Sequence, residues 1–307
     1  MKTLVTGSNG LVGSAVKALN LEGYFFASRE DADLLNFDQT MSLFADVKPQ
    51  RVLHLAAVVG GIGGNSVNSA DYFMGNLQMN INTLEAARLN GVDRLVSFMS
   101  TCVFPDKVDY PLNPSTLHAG PPHPSNFGYA YAKRMLEVQT RAYRVQWGLK
   151  YSIGIPANIY GPFDNFDLRD GHVIPSLIHK VYNAKLRNEP LVVWGTGKSL
   201  REFVYSKDIA CLATWMLDRH ELAEPLILSN SQEMSIRSVV ELIAEMMDFK
   251  GQIIYDTSKP DGQYRKPSNN AELKSLNPAF EFTQIAEGLE RTIQYFITEY
   301  PLVRGVN

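Results

Sequence analysis

The chain has 307 residues, 45% hydrophobic and 20% charged, with a formal net charge of −3. That is an ordinary globular balance, with length for one large or two modest domains. No long basic run offers an electrostatic footprint for nucleic acid, no apolar run is long enough to span a bilayer, and Cys102 and Cys211 lie too far apart in sequence to read as a disulfide framework.

Met1 runs almost directly into an apolar strand, with no basic leader and no small-residue cleavage site. The expectation is a cytoplasmic protein with free thiols, no membrane segment and no metal site. Residues 2–6 read as that strand. It feeds Gly7-Ser8-Asn9-Gly10-Leu11-Val12-Gly13, then a helix to about residue 19. A strand, a glycine-rich turn and a helix are the context in which a glycine motif carries meaning. Gly7 permits the tight turn. Gly10 lets the backbone approach a pyrophosphate seated on the helix N-terminus, and Gly13 lets helix and strand pack closely. The spacing is GxxGxxG rather than GxGxxG.

A second strand is predicted over 24–27. NAD sites usually carry an acidic residue at its end, against the ribose 2′-hydroxyl. Here Ser28-Arg29 follows, and a hydroxyl with a guanidinium suits a 2′-phosphate, so the expected cofactor is NADP. Glu30 next door counts against it. Asp33-Leu34 is an expected adenine contact. A helix follows over 38–47 and a strand over 51–55, which ends in Ala56 and a glycine-rich run over 60–65. So many glycines after a strand predict close approach of backbone and ligand.

Residues 71–90 read as a long helix stopped by Gly91. The strand at 94–99 delivers Ser100-Thr101-Cys102 to the carboxyl edge of the sheet, where open α/β folds place their chemistry. Residues 105–126 form a Pro- and Gly-rich loop over the site, and a helix runs to about residue 147. On it, Tyr129 and Lys133 share one face, and Tyr131 points away. A phenol near pKa ~10 carries protons poorly at neutral pH. The sequence predicts that the Lys133 ammonium lowers it by about three units, which takes about 4 kcal/mol. Tyr129 could then protonate a carbonyl oxygen while hydride arrives at its carbon. Alone, Y-x-x-x-K is a weak pattern.

A strand over 150–155 closes on Pro156-Ala157-Asn158-Ile159. Beyond it the alternation loosens. Helices are predicted over 172–186, 206–217, 235–247 and 285–300, with serine N-caps at Ser206 and Ser235. Short strands are predicted over 191–194, 202–205 and 253–255, and a turn over 259–262. The expected fold is α/β: a Rossmann-type doubly wound parallel sheet with a smaller, interleaved C-terminal substrate domain. We place the cofactor domain at 1–165, with 200–217 returning to it, and the substrate domain at 166–307.

The glycine turn, Ser100, Tyr129 and Lys133 together resemble the extended short-chain dehydrogenase/reductase family of nucleotide-sugar enzymes. Further segments sharpen the resemblance: Ser100-Thr101-Cys102-Val103-Phe104-Pro105, Gly120-Pro121-Pro122-His123, Ser125-Asn126-Phe127-Gly128-Tyr129, Gly171-His172-Val173-Ile174-Pro175, Val193-Trp194-Gly195-Thr196-Gly197, Arg201-Glu202-Phe203 and Lys259-Pro260-Asp261-Gly262. They are similar to the branch of that family that epimerises and reduces GDP-4-keto sugars. The resemblance covers nearly the whole chain.

It implies epimerisation of GDP-4-dehydro-6-deoxy-D-mannose at C3 and C5, then reduction at C4 by NADPH. It further implies Cys102 as base, His172 as acid, Ser100 as a hydrogen bond to the 4-oxygen, Tyr129 as proton donor, and Lys133 on the nicotinamide ribose. In isolation Cys102 would read as a small buried hydrophobe and His172 as a cap or core residue. Ala56, Pro156, Asn158, Ile159 and His172 are implied at the cofactor. Asn158, Lys180, Trp194, Arg201 and Asp261 are implied at the GDP-sugar. Asn9 departs from the pattern, standing where bacterial relatives often carry an arginine against the cofactor phosphate, so Arg29 must explain more of an NADP preference. A homodimer through the helices near 71–90 and 127–147 is also implied. Three alternatives stay open: a sister enzyme for another GDP-4-keto sugar, a redox-neutral NAD-dependent 4-epimerase or dehydratase, and a non-catalytic NADP-sensing protein.

Overall fold

A computed structural model describes residues 1–60, 67–219, 222–259 and 261–306. The first half alternates strictly. It runs β1 (Thr3–Thr6), α1 (Leu11–Lys17), β2 (Tyr24–Phe26), α2 (Phe37–Val47), β3 (Arg51–His54), α3 (Ser69–Leu89), β4 (Arg94–Phe98), α4 (Phe127–Trp147) and β5 (Lys150–Pro156). Local chemistry sets the ends. The Asn36 side chain accepts from the Gln39 amide and caps α2. Gly91 and Gly148, both at positive φ, stop α3 and α4.

The second half continues with β6 (Asn158–Tyr160), α5 (Val173–Arg187), β7 (Leu191–Trp194), β8 (Leu200–Tyr205), α6 (Ser206–Leu217), β9 (Leu226–Leu228), β10 (Glu233–Ser235), α7 (Ile236–Met246), β11 (Ile253–Asp256), α8 (Ala271–Leu276) and α9 (Ile285–Glu299). The main sheet has the order β2-β1-β3-β4-β5-β9. All its pairs are parallel. From β1 the chain goes to β2 on one side and later to β3 on the other. The winding therefore reverses between β1 and β3, and a crevice opens beyond their carboxyl ends.

Both faces of this sheet are covered, which is why its strands are mostly apolar at their centres. Leu4, Val52 and Leu95 pack with Phe44, Leu84 and Leu136 of α2, α3 and α4. Val5, Leu53 and Val96 pack with Val16, Ile209 and Leu212 of α1 and α6. A separate core joins α5, α7 and α9 through Ile178, Val240 and Phe296. It lies with a β10-β8-β6 sheet and a β11-β7 pair.

The doubly wound parallel sheet matches the sequence reading, and most boundaries agree within a residue or two. The differences have local causes. β9 and β10 are three-residue strands, too short for periodicity to reveal. β8 lies in the small sheet, while α6 packs on the large one. Ser206 is the first residue of α6, and Tyr205 occupies the N-cap without a side-chain bond. Ser235 does cap α7, accepting from the Ser238 amide at 3.0 Å. Of the glycine run, residues 61–65 lie outside the described residues, as does Pro260 in the 259–262 turn.

Candidate active site

The glycine turn fits a dinucleotide. Gly7 has φ +69, and a Cβ there would stand 2.5 Å from the Ala56 nitrogen at the end of β3. A Cβ on Gly13 would stand 2.4 Å from the Gly7 carbonyl oxygen. Only glycine permits this packing. Gly10, Ser8, Leu11 and Val12 complete the turn, with Gly10 the extended N-cap of α1 and no side chain covering its amides. A cradle of this shape, at the sheet's reversal point, receives a pyrophosphate on the helix N-terminus. At the end of β2, the Ser28 amide and Oγ both donate to Asp31, at 2.7 and 2.9 Å. The hydroxyl predicted for a 2′-phosphate is thus already engaged, while Arg29 is exposed. Asp33 accepts from the Leu35 amide at 3.0 Å, and the Leu34 carbonyl accepts from Asn82 at 2.8 Å. Pro156 ends β5, and Asn158 and Ile159 open β6 just beyond it.

Ser100 leaves β4 in an extended conformation and enters a short 3-10 turn, Thr101–Val103, that carries Cys102. Arg134 clamps this turn. Its Nε donates to the Val103 carbonyl and its Nη1 to the Gly120 carbonyl, both at 2.7 Å. On the same helix, Tyr129 and Lys133 are buried at 9% and 4% exposure, and Tyr131 at 37% faces outward, as the spacing predicts. Lys133 Nζ lies 5.9 Å from the Tyr129 ring centroid. It donates to the Phe98 carbonyl at the end of β4, at 3.1 Å.

Burial lowers the Lys133 pKa to about 8, against the opposing pull of the Cys102 charge. Tyr129 departs from expectation. Burial, with the Cys102 charge adding to it, pushes the phenol above its usual value rather than below. The cause is desolvation: the helix that brings Lys133 near also removes the phenol from water, and the ammonium spends a hydrogen bond on Phe98. Cys102 therefore sits within electrostatic range of both Tyr129 and Lys133. It also couples to Lys266, a half-buried lysine whose pKa burial lowers and the Cys102 and Asp106 charges partly restore.

His172 comes from a separate element, as the N-cap of α5. Its Nδ1 donates to the buried Asp164 carboxylate at 3.2 Å. The ring is partly exposed; loss of solvent on its inner side favours the neutral form, but the hydrogen bond and charge of Asp164 outweigh it and hold the proton above the usual histidine range. Nε2 is left as the atom able to release a proton.

Of the residues expected at the GDP end, Lys180 and Trp194 meet: Nζ stands 4.7 Å from the ring centroid, with Lys259 at 5.8 Å. Burial lowers the pKa of both Lys180 and Arg201. Arg201 Nη1 donates to the Leu200 carbonyl at 2.7 Å. Asp261 accepts from the Thr196 amide and hydroxyl at 2.7 and 2.8 Å, which ties it to the Gly195–Gly197 turn. Asn158 Nδ2 donates to the Glu202 carbonyl at 2.8 Å. A surface cavity of ≈ 380 Å³ lies at the opposite end of α5, lined by Lys185, Glu189 and Asp248, and holds none of these residues.

Sequence reasoning missed Arg134, Asp164 and Lys266. Arg134 follows Lys133 directly, and an arginine on the buried side of an amphipathic helix was its signal. Asp164 lies eight residues before His172 across a loop, and no spacing rule pairs them. Lys266 reaches the site through non-local pairing, where the Leu112 amide bonds the Pro267 carbonyl at 2.8 Å.

A parallel sheet wound about a glycine turn, with Ser, Tyr and Lys gathered at its carboxyl edge, defines a nucleotide-dependent oxidoreductase or epimerase of the Rossmann type. The chain belongs to the NAD dependent epimerase/dehydratase family, whose profile matches residues 3–227. Among its relatives, a GDP-L-fucose synthase of Dictyostelium discoideum is 47% identical, over 98% of this chain and 97% of that protein. A probable GDP-L-fucose synthase of Drosophila melanogaster is 42% identical, over 99% of both. A GDP-L-fucose synthetase of Naegleria fowleri bound to NADP superposes with a TM-score of 0.93 at 40% identity, covering 98% of this chain and 94% of that one.

Proposed function

We propose that this chain makes GDP-L-fucose from GDP-4-dehydro-6-deoxy-D-mannose, as an NADPH-dependent 3,5-epimerase and 4-reductase. The observation that carries the reading is Cys102 on the short turn that leaves β4, within electrostatic reach of Tyr129, Lys133 and Lys266. A simple reductase needs the Tyr–Lys pair alone. A thiol beside it, with ammonium counter-charge at hand, is what proton abstraction requires. The names of the relatives point to GDP-L-fucose as the product.

In this reading the 4-keto group acidifies C3 and C5. Cys102 Sγ takes the proton, the C–H electrons pass into an enolate, and Ser100 and Tyr129 hydrogen-bond its oxygen. His172, charged through Asp164, returns a proton to the opposite face. NADPH, when bound, supplies hydride to C4. The Tyr129 phenol then protonates O4, and Lys133 stabilises the phenolate left behind. Lys180, Arg201 and Trp194 hold the GDP end, the cations on the diphosphate. The glycine turn, Arg29, Asp33, Leu34, Ala56 and the 156–159 segment hold the cofactor, in a cofactor unit of residues 1–165 joined by α6. Residues 166–307 otherwise serve the GDP-sugar. No helix among the described residues is long and apolar enough to cross a membrane, and this reading assigns the protein to the cytoplasm as a homodimer through α3 and α4.

The test is turnover of GDP-4-dehydro-6-deoxy-D-mannose with NADPH in heavy water. The expected result is NADPH loss with deuterium at C3 and C5 of the product. Cys102→Ser should abolish the exchange and keep NADPH binding, while Tyr129→Phe should block reduction more than exchange. NADPH loss without deuterium at either carbon rejects the epimerase half, and exchange that survives Cys102→Ser removes Cys102 as the base.

A further inference from the structure

The 2′-phosphate corner of the cofactor site is built differently from what the sequence suggests. Ser28 spends both its donors on Asp31. Arg29 is exposed at the corner, beside Glu30. The glycine turn itself offers no cation, because position 9 is an asparagine. A third residue, two helical turns along, is already in place. Lys17, in the last turn of α1, sends Nζ back to Asn9 Oδ1 at 2.7 Å. The same Nζ lies 5.7 Å from the ring centroid of Phe26, the last residue of β2. Lys17 therefore bridges the two segments between which an adenosine 2′-phosphate sits, the glycine turn and the end of β2.

We propose that Lys17, oriented by Asn9, is the specificity residue that favours a 2′-phosphorylated dinucleotide over its unphosphorylated form. The inference deepens the NADPH reading above and rests on it. Three physical points support it. Lysine is a compact point charge well suited to phosphate. Its tether to Asn9 and its seat on Phe26 fix a side chain that would otherwise lose rotamer freedom on binding. With Oδ1 turned to Lys17, Asn9 keeps its Nδ2 hydrogens for the phosphate oxygens, so the pair offers an ammonium and an amide donor together. Glu30 and Asp31 are the acidic groups nearby in sequence. Asp31 is held by Ser28, which keeps its carboxylate charged and its pKa below the ordinary range. A fixed cation facing the phosphate offsets that negative charge. A lysine in a last helical turn also favours the helix dipole, but that role needs neither the Asn9 bond nor the Phe26 contact.

The test measures dissociation constants for NADPH and NADH by calorimetry on the full chain, for wild type, Lys17→Ala, Lys17→Arg and Asn9→Ala. Loss of a charge-assisted phosphate contact predicts NADPH binding weakened by about 10- to 100-fold in Lys17→Ala. NADH binding should be unchanged, Lys17→Arg should recover most of the loss, and Asn9→Ala should show a smaller loss confined to NADPH. Equal losses for both dinucleotides, or NADPH affinity untouched by Lys17→Ala while wild type still prefers NADPH, overturns the inference and leaves the NADPH reading standing. Wild type binding NADH as tightly as NADPH overturns the cofactor reading itself, and this inference with it.

Discussion

Lys133 shows how burial and catalysis pull one residue in opposite directions. Its pKa is lowered from 10.5 to about 8 by burial. The folded value lies below the unfolded one, so between about 8 and 10.5 the unfolded chain binds more protons, and folding stability from this group rises with pH. Activity has the opposite sign, because the ammonium that steadies the Tyr129 phenolate is lost over the same range. NADPH oxidation should therefore fall as pH passes about 8, with no parallel fall in thermal midpoint. A rate flat from pH 8 to 10.5 would remove Lys133 from the proton step. The Tyr–Lys pair was legible because helical spacing is a local rule. The direction of the Tyr129 shift was not, since a sequence gives the partner but not the depth of burial, and here depth wins. Cys102 and His172 had no local signal and came into view only through resemblance. The helix spacing could not find Asp164, which charges His172 from across a loop.

At the scale of elements, β8 joins the small sheet to the catalytic edge through one side chain. Glu202 is buried and accepts from the Ser229 hydroxyl at 2.7 Å and from the Ser268 amide and hydroxyl at 2.8 and 2.5 Å. These bonds fasten the end of β9 and the segment that carries Lys266. Glu202→Ala would strand three buried donors, at a cost of about 3 kcal/mol in unfolding free energy. Chemical denaturation checks this, and a loss under about 1 kcal/mol would show that water satisfies those donors instead. Such a network was invisible in sequence. Arg201-Glu202-Phe203 reads as an ordinary strand, and the serines that meet it lie 27 and 66 residues away. The main-sheet strands were readable because both their faces are covered and they run apolar. β9 is as apolar as the others but only three residues long, and the three-residue β10 is Glu233-Met234-Ser235, so neither stood out.

Across the whole molecule, one surface stands out. Tyr131, Met135, Val138 and Val145 form an exposed apolar stripe along α4, and Met74 and Ile81 lie exposed on α3 beside it. The two helices are locked together, with Tyr143 bonded to Glu85 at 2.6 Å and Arg88 stacked 4.3 Å over Trp147. A rigid pair with a greasy outer face is what the homodimer proposed above would bury. Sedimentation should give about twice the 34.3 kDa chain mass, and Ile81→Asp with Val145→Asp should halve it. A wild-type mass of 34.3 kDa would end the dimer proposal.

The path of the backbone has a further consequence. After β5 the chain leaves the large sheet, builds most of a second core, and comes back to lay α6 across one face and β9 along one edge. A gene fragment ending near residue 165 would strip Val5, Leu53 and Val96 of the cover that Ile209 and Leu212 give them, leaving only α1 on that face, so the nucleotide-holding half is not a free-standing module. The two halves must be inherited, exchanged or lost as one piece.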